Sequence, residues 1–308
     1  VSELSIVVDE SIPEGIRLDR CCALAAGSPT RSRLKNGAKA ILVNGQPAKL
    51  SRIVKPGDRI TVIWEDPATT DIIPEDIPLD SIYEDENVTV VNKRQGMVTH
   101  PAAGNWRGTL VNALLWRWKK DAPEGNLRPG IVHRLDKDTS GVIIAARNPE
   151  AESWLQDQFR LRRTKKVYCA ILSGIPRTRS GEIRTQIIRD PKNRKRFTWT
   201  DAVGKGKTAH TDFRVVKTYG PYALVLFTIH TGRTHQIRVH SKYLGCPILG
   251  DPIYGKKDPS FPSATLMLHA KTLAIRLPGQ TDFSRFDAPL PLRFKKVIAA
   301  LRKRYETV

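Results

Sequence analysis

Three polar residues stand where their chemical types could do work. Asp136 ends the turn His133-Arg134-Leu135-Asp136, which follows Arg128-Pro129-Gly130 and leads into the apolar run Gly141-Val142-Ile143-Ile144-Ala145-Ala146. Turns at a sheet edge are where a rigid scaffold exposes working side chains. Tyr168 interrupts the otherwise apolar Val167 to Leu172, and Arg238 falls within the polar stretch Thr231 to His240. A carboxylate can serve as nucleophile or base, an aromatic ring can stack on a flat substrate, and a guanidinium can keep an anion charged in a dry site. Singly, each has a plainer role. Asp136 would be a turn or capping residue, Tyr168 a core aromatic, and Arg238 a phosphate contact on a helix.

Other groupings fail on spacing. Asp136-Lys137-Asp138-Thr139-Ser140-Gly141 imitates the start of a calcium loop, but Arg147 stands where the bidentate Glu belongs. Gly204-Lys205-Gly206-Lys207-Thr208 imitates the end of a phosphate loop, with Asp201 in place of its first glycine; it is expected as a flexible basic loop. His230, His235 and His240 recur every fifth residue, a step that points helical side chains well apart, so structural or RNA-contacting roles are expected rather than zinc. Cys21, Cys22, Cys169 and Cys246 include no C-x-x-C and are expected as buried thiols of a reducing compartment.

These residues are carried by a chain of 308, long enough for a large domain beside a small one. Lys and Arg number 51 against 31 Asp and Glu, a net charge of +20 that calls for a polyanionic partner. No apolar run approaches a membrane span. Val1 to Glu10 lacks the basic-then-apolar order of a signal peptide, so the expected location is cytoplasmic, with no membrane partner. Residues 158–207 hold fifteen basic and three acidic residues, and residues 12–65 hold ten and four. Between these blocks, residues 66–80 carry five acidic residues, three prolines and no Lys or Arg, which suits a linker. Three segments follow: 1–65, the linker 66–80, and 81–308. Two basic blocks suggest two nucleic-acid-contacting surfaces.

In the first segment, Ile16 to Leu24 has helical spacing, and Asn44-Gly45 and Lys55-Pro56-Gly57-Asp58 mark turns around short strands. A second helix is expected to present Arg31, Arg33 and Lys35 to RNA. Arg17-Leu18-Asp19, Arg31-Ser32-Arg33-Leu34, Leu42-Val43-Asn44-Gly45 and Val54-Lys55-Pro56-Gly57-Asp58 together resemble the S-four RNA-binding domain. Beyond Ser81, strands are expected at Val88–Lys93, Gly141–Ala146, Val167–Leu172 and Tyr222–Ile229. Helices are expected from Thr109 and over Leu290 to Tyr305. Strands not regularly separated by helices indicate an α+β fold: a large domain with a mixed, mainly antiparallel sheet flanked by helices and loops, plus a small N-terminal α/β domain.

The ordered motifs of the large segment closely resemble the RluA-type RNA pseudouridine synthases, the RluD and RluC group with its N-terminal S-four domain above all. The resemblance rests on Val132-His133-Arg134-Leu135-Asp136-Lys137-Asp138-Thr139-Ser140-Gly141, Lys166-Val167-Tyr168, Arg189-Asp190-Pro191, Thr231 to His240, and Leu249-Gly250-Asp251-Pro252-Ile253-Tyr254-Gly255. It implies an isomerase that converts specific uridines to pseudouridine in structured RNA, large-subunit ribosomal RNA foremost. By resemblance Asp136 is the catalytic aspartate, Tyr168 lies against the target base with a part in proton removal, and Arg238 forms a salt bridge with Asp136. Arg134 fills the place of the flipped uridine, and His133, Arg233, His235 and Gln236 join it in contacting RNA. The chain departs from the family pattern at Arg94-Gln95-Gly96-Met97, where a proline commonly follows the basic residue, and at Gln186-Ile187.

The chemistry suits these residue types. Breaking the glycosidic bond, turning the base and rejoining it through C5 imports no group and oxidises nothing, so no cofactor or metal is expected. The carboxylate could attack C1′ or remove a sugar proton. Unstacking the base costs a few kcal/mol, which stacking and an inserted arginine offset. A glycoside hydrolase would need a second carboxylate across the bond; Asp138 is better placed as a cap. The remaining alternative is a non-catalytic RNA-binding or ribosome-assembly factor. A monomer is the simplest expected state.

Overall fold

In Arg59-Ile60-Thr61-Val62-Ile63-Trp64 the buried side chains are Ile60, Val62 and Trp64, the period of a strand with one face on a core. The computed structural model describes residues 2–13, 15–24, 34, 38–64, 72–102, 104–119, 129–202 and 204–306. Its first compact unit is Val1–Ile72. There β1 (Ser2–Val7), β2 (Ala38–Val43), β3 (Gln46–Pro47) and β4 (Arg59–Trp64) form an antiparallel sheet in the order β1-β4-β2-β3. Helix α1 (Leu18–Cys22) places Leu18, Cys21 and Cys22 in the same core as Ile60, Val62 and Trp64. Asn44 and Gly45 turn the β2–β3 hairpin at φ of 53° and 78°, as an Asn-Gly turn requires. Arg31, Arg33 and Lys35 lie outside the described residues.

The second unit, Ile73–Val308, begins within the stretch read as a linker. Residues 73–80 form no helix or strand yet are fastened down: Asn112 Nδ2 donates to the Ile73 carbonyl, Glu75 N donates to that of Asn112, and Ile77 and Leu79 pack on the core. The prolines exclude regular structure there without excluding packing.

The elements of this unit are β5 (Ser81–Glu84), β6 (Val88–Lys93), α2 (Leu110–Trp118), β7 (Gly130–Ile131), β8 (Ser140–Ala146), α3 (Pro149–Arg160), β9 (Lys165–Ser173), β10 (Ser180–Arg189), β11 (Phe197–Thr200), β12 (Lys207–Tyr219), β13 (Tyr222–Ile229), α4 (Gln236–Tyr243), β14 (Leu268–Ile275), β15 (Ser284–Asp287) and α5 (Leu292–Tyr305). One sheet runs β11-β10-β12-β13-β9-β14-β8-β6-β5, with β15 on β14 and β7 on β8. Every described ladder is antiparallel except β14 with β8. The fold is thus α+β with a mixed, mainly antiparallel sheet.

Strand β8 is buried throughout because both its faces are covered. Val142, Ile144 and Ala146 join Ala151 and Leu155 of α3, whereas Ile143 and Ala145 join Leu110, Leu114 and Trp118 of α2. Thr109 caps α2 through a reciprocal pair with Asn112, and Asn148 caps α3 by accepting from Ala151 N at 2.8 Å. The basic block becomes strands β9 to β11 and their turns. Lys207 and Thr208, expected in a flexible loop, instead enter β12 and pair with Ile187 and Gln186 of β10. All four cysteines are free and buried, and burial pushes the Cys22 thiol up to about 11. No helix among the described residues is long and apolar enough to cross a membrane.

Candidate active site

The Asp136 turn is fixed from two sides. Behind it, β8 begins with Ser140 and Gly141 beside His269 and Ala270 of β14. Gly141 has φ +117°, and a Cβ there would stand 2.1 Å from the Ala270 carbonyl oxygen, so the glycine of the T-S-G motif is required by this close approach. From the other side, the segment after β6 grips the turn by its backbone. Thr99 Oγ1 donates to the Leu135 carbonyl, Gly96 N to Lys137 O, and Gln95 Nε2 to Asp138 O. Lys93, almost wholly buried, donates from Nζ to the carbonyls of Arg94, Met97 and Lys137. Burial pushes its ammonium down to about 8, against the opposing fields of Asp136 and Asp138.

The carboxylate of Asp136 is thereby left free of hydrogen bonds from described residues and faces an open cleft. Tyr168 and Ile229 line the same cleft, as do Arg233 and His235. Tyr168 reaches it because the register sets Tyr168 beside Ala270 on one flank and Phe227 on the other. Burial, then the nearby Asp136 charge, raises its phenol above the usual range. The phenol is therefore held protonated, and its ring lines the cleft beside Asp136.

His235 stands beside Asp136, with Nε2 3.8 Å from Oδ2. The Tyr254 hydroxyl accepts the Phe197 amide at 2.8 Å and lies 2.8 Å from His235 Nδ1. We assign the Tyr254 proton to the bond with Nδ1, which leaves the ring proton on Nε2, the nitrogen 3.8 Å from Asp136. Desolvation lowers the His235 pKa despite Asp136, in keeping with a neutral ring. His235 adopts φ 58° as the residue before α4, a left-handed conformation that its edge contacts with Phe197 and Tyr254 help to hold.

Arg238 does not pair with Asp136. Its Nε and Nη2 donate to Asp251 Oδ2 and Oδ1 at 2.8 and 2.7 Å, with side chains 4% and 0% exposed. Asp251 Oδ1 also accepts the amides of Ile253 and Tyr254. Desolvation works against the guanidinium, but these contacts outweigh it and hold Arg238 charged, with the Asp136 field adding to them. The bidentate fork is taken by the carboxylate with the matching in-plane geometry. Lys93 and Arg238 thus surround Asp136 as through-space cations.

Two residues expected to touch RNA are committed to the protein. Gln236 is buried with all its hydrogen-bonding capacity used: Oε1 accepts from Thr231 Oγ1 and Arg233 N, and Nε2 donates to His210 O and Thr211 Oγ1. His133 Nε2 accepts the Ile144 amide at 3.0 Å while its ring stacks on Phe159, so it anchors the turn to β8. Arg134, by contrast, is exposed and lines the Asp136 cleft. Arg233 is half-buried, with Nε donating to Thr208 O, and connects that cleft to a neighbouring one lined by Arg189, Lys205 and Lys207. Lys93 escaped the sequence reading, and Asp251 and Tyr254 lay in a quoted motif without a role.

Three rings are held neutral by burial. His133 is pushed down to about 3, with Lys166 adding to the effect, and His240 and His269 each to about 4. These values lie below the ~6.5 of an unfolded histidine. Their contribution to stability is therefore complete above that value and is lost as pH falls toward 4, because the unfolded chain binds the protons. By pH ~5 the loss is about 2 kcal/mol for each ring. Thermal midpoints at constant ionic strength should fall steeply between about pH 7 and about pH 5; a flat profile would mean that the rings take up protons without unfolding.

A carboxylate and a neutral phenol in a cleft rimmed by arginines, carried on one long sheet, define a class: an enzyme that draws part of a polyanion into a pocket. Comparison with known proteins gives the family. Residues 87–243 match the family model described as RNA pseudouridylate synthase. An uncharacterized RNA pseudouridine synthase of Chlorobaculum parvum is 43% identical over 93% of this chain and 94% of its own length. The ribosomal large subunit pseudouridine synthase D of Borreliella burgdorferi is 45% identical over 80% of this chain and 76% of its own. Human RNA pseudouridylate synthase domain containing 4 superposes with a TM-score of 0.60 at 25% identity, over 72% of this chain and 93% of its own. The chain belongs to the RNA pseudouridine synthase family and is an isomerase acting on RNA.

Proposed function

We propose that this enzyme isomerises specific uridines of large-subunit ribosomal RNA in the cytoplasm, with Asp136 as the catalytic carboxylate. The observation that carries the proposal is the meeting of Asp136 and Tyr168 in one cleft although they lie on separate elements. A flipped uracil entering there would stack on the Tyr168 ring while its sugar meets the Asp136 carboxylate, which no described residue hydrogen-bonds. Arg134, exposed at the same cleft, takes the place in the helix that the base leaves. The cationic side chains of Arg233, Arg189, Lys205 and Lys207 attract the flanking phosphates, so binding should weaken steeply with salt. Residues 1–65 serve as a separate S-four-like RNA-docking domain. The choice of ribosomal RNA follows the Borreliella relative, whose name specifies the large ribosomal subunit.

Release of tritium from RNA labelled at uracil C5 tests the proposal, because the exchange of a glycosidic C–N bond for a C–C bond expels that hydrogen. Large-subunit ribosomal RNA fragments should release it and transfer RNAs should not. Release from transfer RNA alone would reassign the substrate, and no release from any transcript would leave an RNA-binding factor.

A further inference from the structure

A second group of titratable side chains lies outside the Asp136 cleft. His210 and Asp212 are two residues apart on β12 and so share one face of the sheet. His230, just past the end of β13, is brought alongside by its amide, which donates to the His210 carbonyl. The two imidazoles stack with centroids 4.0 Å apart and planes 19° apart. Asp212 reaches both rings: Oδ2 lies 2.7 Å from His230 Nε2, and Oδ1 3.4 Å from His210 Nε2. From β10, directly across from Asp212, Glu182 brings Oε1 to 2.6 Å from His210 Nε2, while Arg184 Nε also holds that oxygen.

The His210 Nε2 atom is shielded from solvent, yet neither adjacent carboxylate meets it in hydrogen-bonding geometry. We propose that His210, Asp212 and His230 bind one divalent transition-metal ion of the zinc class. One ligand atom from each lies within 4.8 Å of the other two. Two imidazole nitrogens and a carboxylate oxygen are the donor set of borderline metals, and water can fill the fourth position. Because His210 and Asp212 sit on β12 and the His230 amide is bonded to the His210 carbonyl, the backbone of the site is preformed, and the stacked rings need only tilt to aim both nitrogens at one ion. The side chains of Asp212 and His230 are 48% and 41% exposed, so an ion has a way in and the ligands can close on it by small rotamer changes. Glu182, shared with Arg184, lies outside the inner set.

The position gives such an ion a consequence. Thr231 Oγ1 accepts the His210 amide and donates to Gln236, which returns a bond to the His210 carbonyl. The segment from Gly232 to His235 that lines the Asp136 cleft is therefore strapped by its flanking residues, Thr231 and Gln236, to the backbone of His210. A bound ion would tie β12 to His230, two residues ahead of this segment. The ion takes no part in the isomerisation.

The full chain, freed of metal by dialysis against a chelator, should take up one equivalent of Zn²⁺ in competition with a chromogenic chelator. Co²⁺ should give the intense visible bands of a four-coordinate site. His230→Gln and Asp212→Asn, both at exposed side chains, should keep the wild-type circular dichroism and metal-free melting temperature while weakening uptake more than about 100-fold. Absence of stoichiometric uptake by the wild type, or equal uptake by both variants, overturns the site.

Discussion

Asp136→Asn should lower tritium release by about 10³-fold or more, the scale of a lost group that takes part in the chemical step. It should cost little stability, because the Asp136 side chain accepts no hydrogen bond from any described residue and only its through-space attraction to Lys93 and Arg238 is lost, its backbone carbonyl still accepting from Thr139 N. RNA affinity should stay within a few-fold of wild type and shift toward tighter binding, since one negative charge is removed from a cationic cleft. Stopped-flow or quench measurements under single-turnover conditions separate chemistry from binding. Substantial turnover by the variant would remove Asp136 from its role, whereas loss of turnover together with loss of folding would contradict its free carboxylate.

Asp251→Ala should have the larger effect on stability. It strands the Arg238 guanidinium in a site where 3% of the residue is exposed, and removing one partner of a buried pair typically costs about 3–5 kcal/mol. Two amides, of Ile253 and Tyr254, lose their acceptor at the same time. Turnover should fall as well, because Arg238 lies on the helix that follows His235, and Tyr254 holds the His235 ring. Adding Arg238→Met to the variant should recover a good part of the lost stability, since no charge is then buried alone. Urea unfolding of the single and double variants gives the coupling. Additive losses would mean that the two side chains do not act as a pair.

Much of the fold was legible because local pattern and burial agree. Val88–Lys93 and Tyr222–Ile229 form strands with the bounds expected from their apolar runs, and Thr109 starts a helix as its capping chemistry demands. Residues 149–160 were harder. Helix α3 buries little more than Ala151, Leu155 and Gln158, so its polar surface hides the helical period. Strand β10 was obscured by the basic block and β12 by its own polar residues, which alternate outward from a sheet that is apolar only on its inner face.

The site divides in the same way. Asp136, Tyr168 and Arg238 could be singled out because a motif is a local arrangement of residue types, and local arrangements survive in a one-dimensional string. Their partners could not be read there. Arg238 takes Asp251 over Asp136, Gln236 turns inward, His133 accepts a backbone amide, and His210 meets His230, all through the register of distant strands. Composition and spacing decide charge, strand period and caps within a few residues. Which carboxylate a guanidinium meets depends on backbone placement to within an ångström between segments far apart in the chain, and only the packed sheet supplies that.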